Sequence, residues 1–103
     1  MALFNPSQVT VTIPSSSSAV PTTVNASASS QSLLAANSNR RGATIWNNST
    51  ANLYIELGST ASLTAFTAKL LPGGYYETPF NYIGAISGIW DAVNGNAQIR
   101  ELT

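Results

Sequence analysis

The chain has 103 residues and no net charge, and charged residues make up only 8% of it, against about 25% in an average globular protein. A neutral chain lacks the long-range electrostatic field that attracts nucleic acids or anionic membranes, so neither is an expected partner. The absence of cysteine and histidine excludes disulfides, the usual zinc sites, and the Ser–His and Cys–His pairs of nucleophilic catalysis.

The first part of the chain differs in composition from the rest. Residues 1–32 contain no Asp, Glu, Lys or Arg, are rich in serine and threonine, and have prolines at intervals. Within them, Val9, Val11 and Ile13 alternate with threonine, which predicts a β-strand. A flexible linker is the competing interpretation, but an uncharged strand can pair with a neighbour's sheet edge without desolvating charges. We therefore predict an extended assembly arm at 1–32 and a globular domain at 33–103.

From Ser32 onward, short β-patterns alternate with turn residues. In chain order the patterns are SLLAANSNR, RGATIWNN, NLYIEL, SLTAFTAKL, YYETP, YIGAISGIWDAV and NAQIREL. We expect a hairpin at residues 47–50, between the second and third patterns, and another at Asn94–Gly95 before the last. Turn signals that recur about every 8 to 12 residues indicate an all-β fold, either a small antiparallel sandwich or a barrel.

The size of the predicted domain suggests that it does not stand alone. A domain of about 70 residues has only marginal stability unless disulfides, a bound metal or oligomerisation add to it. Because the chain has no cysteine and no evident metal site, neighbouring subunits are the expected source of stability. We therefore predict a homo-oligomer whose arms lock the subunits together.

Four carboxylates are the remaining candidates for catalysis, namely Glu56, Glu77, Asp91 and Glu101. Two of them within reach of each other could act as a glycosidase pair. However, Glu56 and Glu101 fall on the predicted outward faces of strands, where ion pairs with arginine or lysine are the simpler interpretation. We predict that the protein is not an enzyme and has neither a cofactor nor a small-molecule substrate.

The aromatic residues admit two interpretations. Trp46 and Trp90, with several tyrosines and abundant asparagine, could form a platform on which sugar rings stack, so both tryptophans are candidate ligand-facing residues. Alternatively, tryptophan and tyrosine fill a small core and its subunit interfaces, where their polar tips still find partners. The second interpretation is favoured, because isolated Ile-Trp pairs are not a lectin signature.

The succession NRRGATIWNNSTANLYIELG, followed by LPGGYYETPFNYIGAISGIWDAVNGNAQIRE, resembles small structural proteins of tailed bacteriophages and prophages. The shared frame has an Arg-Gly lead-in, a Leu-Tyr-Ile strand, a Pro-Gly turn before YYE, an Ile-Trp strand and a closing Asn-Gly. It covers about Ser38 to Leu102 and leaves the arm outside. The resemblance implies a β-sandwich virion protein of the capsid cement or decoration type.

As implied by this resemblance, the partners are the major capsid protein and further copies of the chain, expected as a homotrimer. The location is the capsid surface, after assembly in the host cytoplasm. Val9, Val11 and Ile13 are the expected clamp residues, and Arg40 and Arg41 are expected to contact a capsid carboxylate or an inter-subunit carbonyl. The alternative is a tail- or fibre-associated protein, either structural or binding a carbohydrate receptor through the two tryptophans.

Overall fold

A computed structural model describes residues 15–103, in which all regular secondary structure is β-strand. The strands of this part of the chain are β1 (Ala19–Asn25), β2 (Gln31–Leu34), β3 (Gly42–Asn48), β4 (Leu53–Glu56), β5 (Ala68–Leu70), β6 (Tyr75–Glu77), β7 (Ile86–Trp90) and β8 (Asn96–Leu102). They form two four-stranded antiparallel sheets: a front sheet in the order β1-β8-β3-β6 and a back sheet in the order β2-β7-β4-β5. The predicted all-β antiparallel fold is confirmed, and of the two predicted alternatives, sandwich and barrel, it is the sandwich.

The core lies between the two sheets and follows the two-residue period of the strands. In β3, Ala43 and Ile45 are buried and Trp46 is exposed, as the alternation predicts. In β7, by contrast, all five residues are buried. A strand is buried along its whole length when both faces of its sheet are covered. Another part of the chain must therefore cover the outer face of the back sheet at β7.

The cover is the segment 57–67, which connects β4 to β5. The backbone N–H of Ala61, a buried residue, donates a hydrogen bond to the hydroxyl of Ser30 at 2.8 Å. Ser30 directly precedes β2, the edge strand farthest from β5. The segment therefore crosses the outer side of β7, where Ser87 and Ile89 are buried. The sequence predicted a strand throughout SLTAFTAKL, but only its last three residues are a strand, because the rest lies over the back sheet.

Both connections that were predicted as hairpins instead carry the chain from one sheet to the other. β3 and β8 belong to the front sheet, whereas β4 and β7 belong to the back sheet. At the first crossing the buried side-chain amide of Asn47 donates to the carbonyls of Ala51 and Leu70, at 2.8 and 2.9 Å. At the second, Gly95 has a φ of 69°. The turn residues were predicted correctly, but these turns connect strands of different sheets, whereas a hairpin connects neighbouring strands of one sheet.

The N-terminal boundary of the sandwich also differs from the prediction. Residues 1–32 were assigned to the arm, yet β1 pairs with β8 along all seven of its residues. An uncharged Val- and Thr-containing segment is as suitable for a sheet within its own domain as for one in a neighbour. The predicted strand with Val9, Val11 and Ile13 lies outside the described residues.

The start of β1 and the end of β8 meet at one end of the sandwich, which we call the terminal end. β1 begins there, with Ala19 opposite Leu102, and the N–H of Thr103 donates to the carbonyl of Ser18 at 2.9 Å. The N–H of Arg41, just before β3, donates to the carbonyl of Leu102 at 2.7 Å. The chain preceding β1 and the C-terminus therefore lie side by side.

Candidate binding surfaces

Arg40 lies at the terminal end and is only 2% exposed. Its Nε donates to the Glu101 carboxylate at 2.8 Å, and one terminal nitrogen donates to the carbonyls of Gly84 at 2.7 Å and Tyr82 at 3.2 Å. The other terminal nitrogen donates to the carbonyl of Ala35. From the sequence, Arg40 was expected to contact a capsid carboxylate or an inter-subunit carbonyl. In the structure those partners belong to the same chain.

The loop that Arg40 holds contains an unusual turn. Phe80 and Asn81 have φ values of 50° and 52°, and the N–H of Tyr82 donates to the carbonyl of Pro79 at 3.1 Å. The left-handed region costs a non-glycine residue about 1–2 kcal/mol, and phenylalanine gains nothing there in compensation. Phe80 is nevertheless 100% exposed. Strain and a large apolar side chain in water at one position indicate a contact surface.

We refer to Phe80, Asn81 and Ile83 as the Phe80 turn. Ile83 is 46% exposed, and its carbonyl accepts a hydrogen bond from the N–H of Asn37 at 2.8 Å. This bond, like those from Arg40, attaches the loop to the segment before β3. Phe80 was not among the site residues predicted from the sequence. The available signal was an aromatic residue between a proline and an asparagine in a segment of turn residues.

Arg41, the second predicted contact residue, is exposed. It lines a shallow depression on the front sheet together with Thr44, Glu77, Thr78 and Leu102. The depression lies next to the terminal end, so Arg41 and Arg40 occupy neighbouring positions with opposite environments. Arg41 is thus placed where a neighbouring protein could reach it.

The two tryptophans also differ. Trp90 is 0% exposed and belongs to the core, so the prediction that it faces a ligand is corrected. Its position follows from β7, whose inner side carries Ile86 and Trp90 against the other sheet. Trp46 is 46% exposed on the outer side of the front sheet and keeps its place as a candidate ligand-facing residue.

Trp46 is part of a row that crosses the front sheet. It lies opposite Tyr75 on β6 and Gln98 on β8, and Gln98 in turn lies opposite Thr23 on β1. We call Tyr75, Trp46, Gln98 and Thr23 the Trp46 row. The Tyr75 hydroxyl donates to the Glu77 carboxylate at 2.7 Å, and this hydrogen bond is the main reason that the pKa of Tyr75 is raised.

A second row, two residues along the strands, consists of amides. Asn48, Asn96 and Asn25 lie opposite one another on β3, β8 and β1, and we call them the amide row. The Asn96 side-chain oxygen accepts hydrogen bonds from the amides of Asn48 at 3.1 Å and Gln98 at 2.9 Å. The two rows are therefore connected into one network of oriented amides.

The carboxylates each accept a hydrogen bond from within the chain: Glu56 from Thr67, Glu77 from Tyr75, Asp91 from Asn52 and Glu101 from Arg40. Hydrogen bonds from the Asn52 backbone and side chain lower the pKa of Asp91. Within residues 15–103, no group of three or more acidic side chains is placed to hold a metal ion. The acidic groups thus act here as local hydrogen-bond acceptors.

Residues 15–103 include no helix with the length and apolar character needed to cross a membrane. The chain matches no protein-family model, no curated protein and no solved structure. The surfaces just described, the Phe80 turn and the outer side of the front sheet, are therefore the basis on which a function is assigned.

Proposed function

We propose that this protein is a capsid cement protein of a tailed bacteriophage, which binds the outer shell as an oligomer and clamps neighbouring major capsid proteins. The observation that carries the proposal is the Phe80 turn, because a fully exposed aromatic residue on strained backbone is suited to anchor a protein–protein contact. It lies at the end of the sandwich where the chain preceding β1 leaves. The turn and the N-terminal segment can thus engage the same partner surface.

The open edge of β1 supports the proposal. The N–H of Ala26 donates to the carbonyl of Gly95 across β8, so the even-numbered residues of β1 bond to β8 and the odd-numbered ones direct their backbone groups outward. Pro21 is one of these, and it removes one outward N–H, as is common on edge strands. The remaining outward groups can pair with a strand of a neighbour.

The mechanism is mechanical rather than chemical. A protein that binds the expanded, mature lattice better than its precursor stabilises that state by mass action. Many copies, each contributing an aromatic anchor and strand pairing, act together through multivalency. This role needs no catalytic residue, cofactor or small-molecule substrate, and it involves neither nucleic acid nor a membrane.

The test is the copy number per purified virion, measured by quantitative mass spectrometry against the major capsid protein. About one copy per capsid subunit supports a cement protein on the shell. A handful to a few dozen copies places the protein on the tail or at a vertex and contradicts the proposal. Absence from the particle also contradicts it, and in addition removes the virion assignment.

A tail- or fibre-associated protein is the second candidate. One observation favours it specifically: the exposed Trp46 row on an open sheet face, which a cement role by itself does not require. The copy number separates the two candidates, whereas the ligand of that face is a separate question.

A further inference from the structure

We propose that the outer side of the front sheet is a binding site for a neutral oligosaccharide, with Trp46 as its stacking residue. The inference does not depend on whether the protein belongs to the capsid or to the tail. It is based on the side chains that the register of the front sheet brings together.

The two outer faces of the sandwich differ in accessibility. The segment 57–67 leaves β4 and reaches Ser30 beside β2, and the outward residues of β7, Ser87 and Ile89, are buried. In the part of the chain that the structure describes, the front sheet has no such cover, and its outward residues on β1, β3 and β6 are largely exposed, including Trp46 and Tyr75. The accessible face is therefore the one that carries the aromatic pair.

The aromatic part of the site is held in place. Trp46 and Tyr75 are direct cross-strand partners, and a Cβ at Gly73 would lie 3.8 Å from Cζ2 of the Trp46 indole. The turn between β5 and β6 therefore runs alongside the indole, and the hydroxyl of Tyr75 is tied to Glu77. Tryptophan and tyrosine rings offer large contact areas at low entropic cost, and a sugar ring presents its C–H groups to such surfaces.

The polar part of the site is supplied by amides. Gln98 and Asn48 each use one side-chain N–H on Asn96, so each retains a second donor. Their orientation is set by these bonds before any ligand arrives, which reduces the entropy that binding must remove. Amides beside an aromatic ring offer both donors and acceptors to sugar hydroxyls.

The charges of the face argue for a neutral ligand. Arg41 lies at the terminal end of the face. In the row next to the Trp46 row, Arg100 and Glu77 flank Thr44 with opposite signs. Such a pair provides no field for phosphates or sulfates. A ligand that presents both C–H surfaces and hydroxyl groups matches two aromatic rings set among amide side chains. The four-strand Trp46 row spans roughly 14 Å, which suits an oligosaccharide better than a single sugar.

The test is NMR titration of the full-length ¹⁵N-labelled protein with cellohexaose, chitohexaose and maltohexaose, together with a screen on an array of neutral bacterial and animal glycans. We expect at least one glycan to shift the indole N–H of Trp46 and the side-chain amides of Gln98 and Asn96. Trp46→Ala and Gln98→Ala should each weaken that binding by tenfold or more. Tyr54→Ala, which removes an aromatic residue from the back sheet, is the matched control and should leave the affinity unchanged.

Three results would overturn the proposal. One is that no glycan of either set shifts the Trp46 indole signal at millimolar concentration. Another is that a glycan binds but Trp46→Ala and Tyr54→Ala affect it equally. The third is that the same signals move only with protein concentration, which would assign the face to contacts between copies of the chain. Thermal unfolding of each variant shows that the fold is retained, since Trp46 and Gln98 lie outside the core.

Discussion

The guanidinium of Arg40 and the carboxylate of Glu101 form an ion pair with an Nε–Oε2 distance of 2.8 Å, and the Arg40 side chain has no exposed surface. The pair joins the loop that displays Phe80 to the last strand of the front sheet, because Arg40 also bonds to the carbonyls of Tyr82 and Gly84. Under the proposed function Phe80 is a contact residue, which must hold a reproducible position. The ion pair and these hydrogen bonds anchor its loop to the sandwich.

The first prediction concerns this pair. Arg40→Ala should lower the free energy of unfolding by about 3–5 kcal/mol, because it leaves the partly buried Glu101 carboxylate without its cation. Urea denaturation monitored by tryptophan fluorescence measures the change. Arg41→Ala is the matched control, and as an exposed substitution it should change stability by no more than about 0.5 kcal/mol. Equal effects of the two substitutions would refute the structural role of Arg40.

The second prediction separates stability from attachment at the Phe80 turn. Phe80→Ala should change stability by no more than about 0.5 kcal/mol, since the side chain is fully exposed. Under the proposed function, it should reduce attachment to capsids that lack their own copy of the protein. Val93→Ala is the control, because Val93 is 68% exposed and lies at the opposite end of the sandwich. Attachment equal to that of the Val93 variant would show that Phe80 is not an anchor.

The third prediction concerns the N-terminal segment. A variant lacking residues 1–14 retains all the strands of the described sandwich and should remain folded and soluble, but it should no longer attach to capsids. A variant lacking residues 1–32 loses β1 and exposes an edge of β8, so it should aggregate. Circular dichroism and sedimentation of each variant with capsids provide the measurements. Full attachment of the shorter truncation would exclude a clamping role for residues 1–14.

The fourth prediction contrasts the two tryptophans. Trp90→Ala should destabilise the fold by about 3–5 kcal/mol, because it leaves a large cavity in the core. Trp46→Ala should have a small effect, since the indole lies on the outer face. Thermal or urea unfolding of both variants is the measurement. A larger loss for the Trp46 variant would mean that the register assigned to β3 is wrong.

The fifth prediction concerns pH. The hydrogen bond to Glu77 raises the pKa of Tyr75 from 10.0, so Tyr75 should titrate later than a free tyrosine. A folded-state pKa above the unfolded one means that the stabilisation is present below pH 10 and is lost as the pH rises through the folded-state pKa. Glu77→Gln should move the pKa of Tyr75 back toward 10.0, as measured by NMR of ¹³C-labelled tyrosine. No change would mean that the hydrogen bond is absent in solution.

The two Ile-Trp pairs show what could be predicted from the sequence and what could not. Ile45-Trp46 and Ile89-Trp90 have the same local pattern, and each was correctly placed on a strand. In β3 the isoleucine faces the core, whereas in β7 the tryptophan does. Alternation shows that two neighbours face opposite ways, but the tertiary register decides which one faces inward. The prediction of a ligand-facing side chain is therefore corrected for Trp90, whereas Trp46 stays a candidate.

The remaining differences have a similar origin. Asn94–Gly95 indicates a sharp reversal, but local turn chemistry does not specify whether the chain returns to its own sheet or crosses to the other. Phe80 was missed because exposure and left-handed backbone are properties of the folded chain. Arg40 was expected to contact a capsid carboxylate or an inter-subunit carbonyl, and Glu101 was expected on an outward face. Glu101 instead alternates with Ala97 and Ile99 on the inner side of β8 and pairs with Arg40, 61 positions away.

The pairing of β1 with β8 has a mechanical consequence. The hydrogen bonds between antiparallel strands run perpendicular to the strands, and residues 15–18 lead into the start of β1 beside Thr103. Tension on that segment, directed along β1 and resisted by the body of the domain, would load all the bonds of the β1–β8 ladder together in shear. Tension applied between the two chain ends, which lie side by side, would instead unzip the same ladder one pair at a time. The domain would therefore resist a load along β1 far better than a load that pulls the start of β1 away from the end of β8.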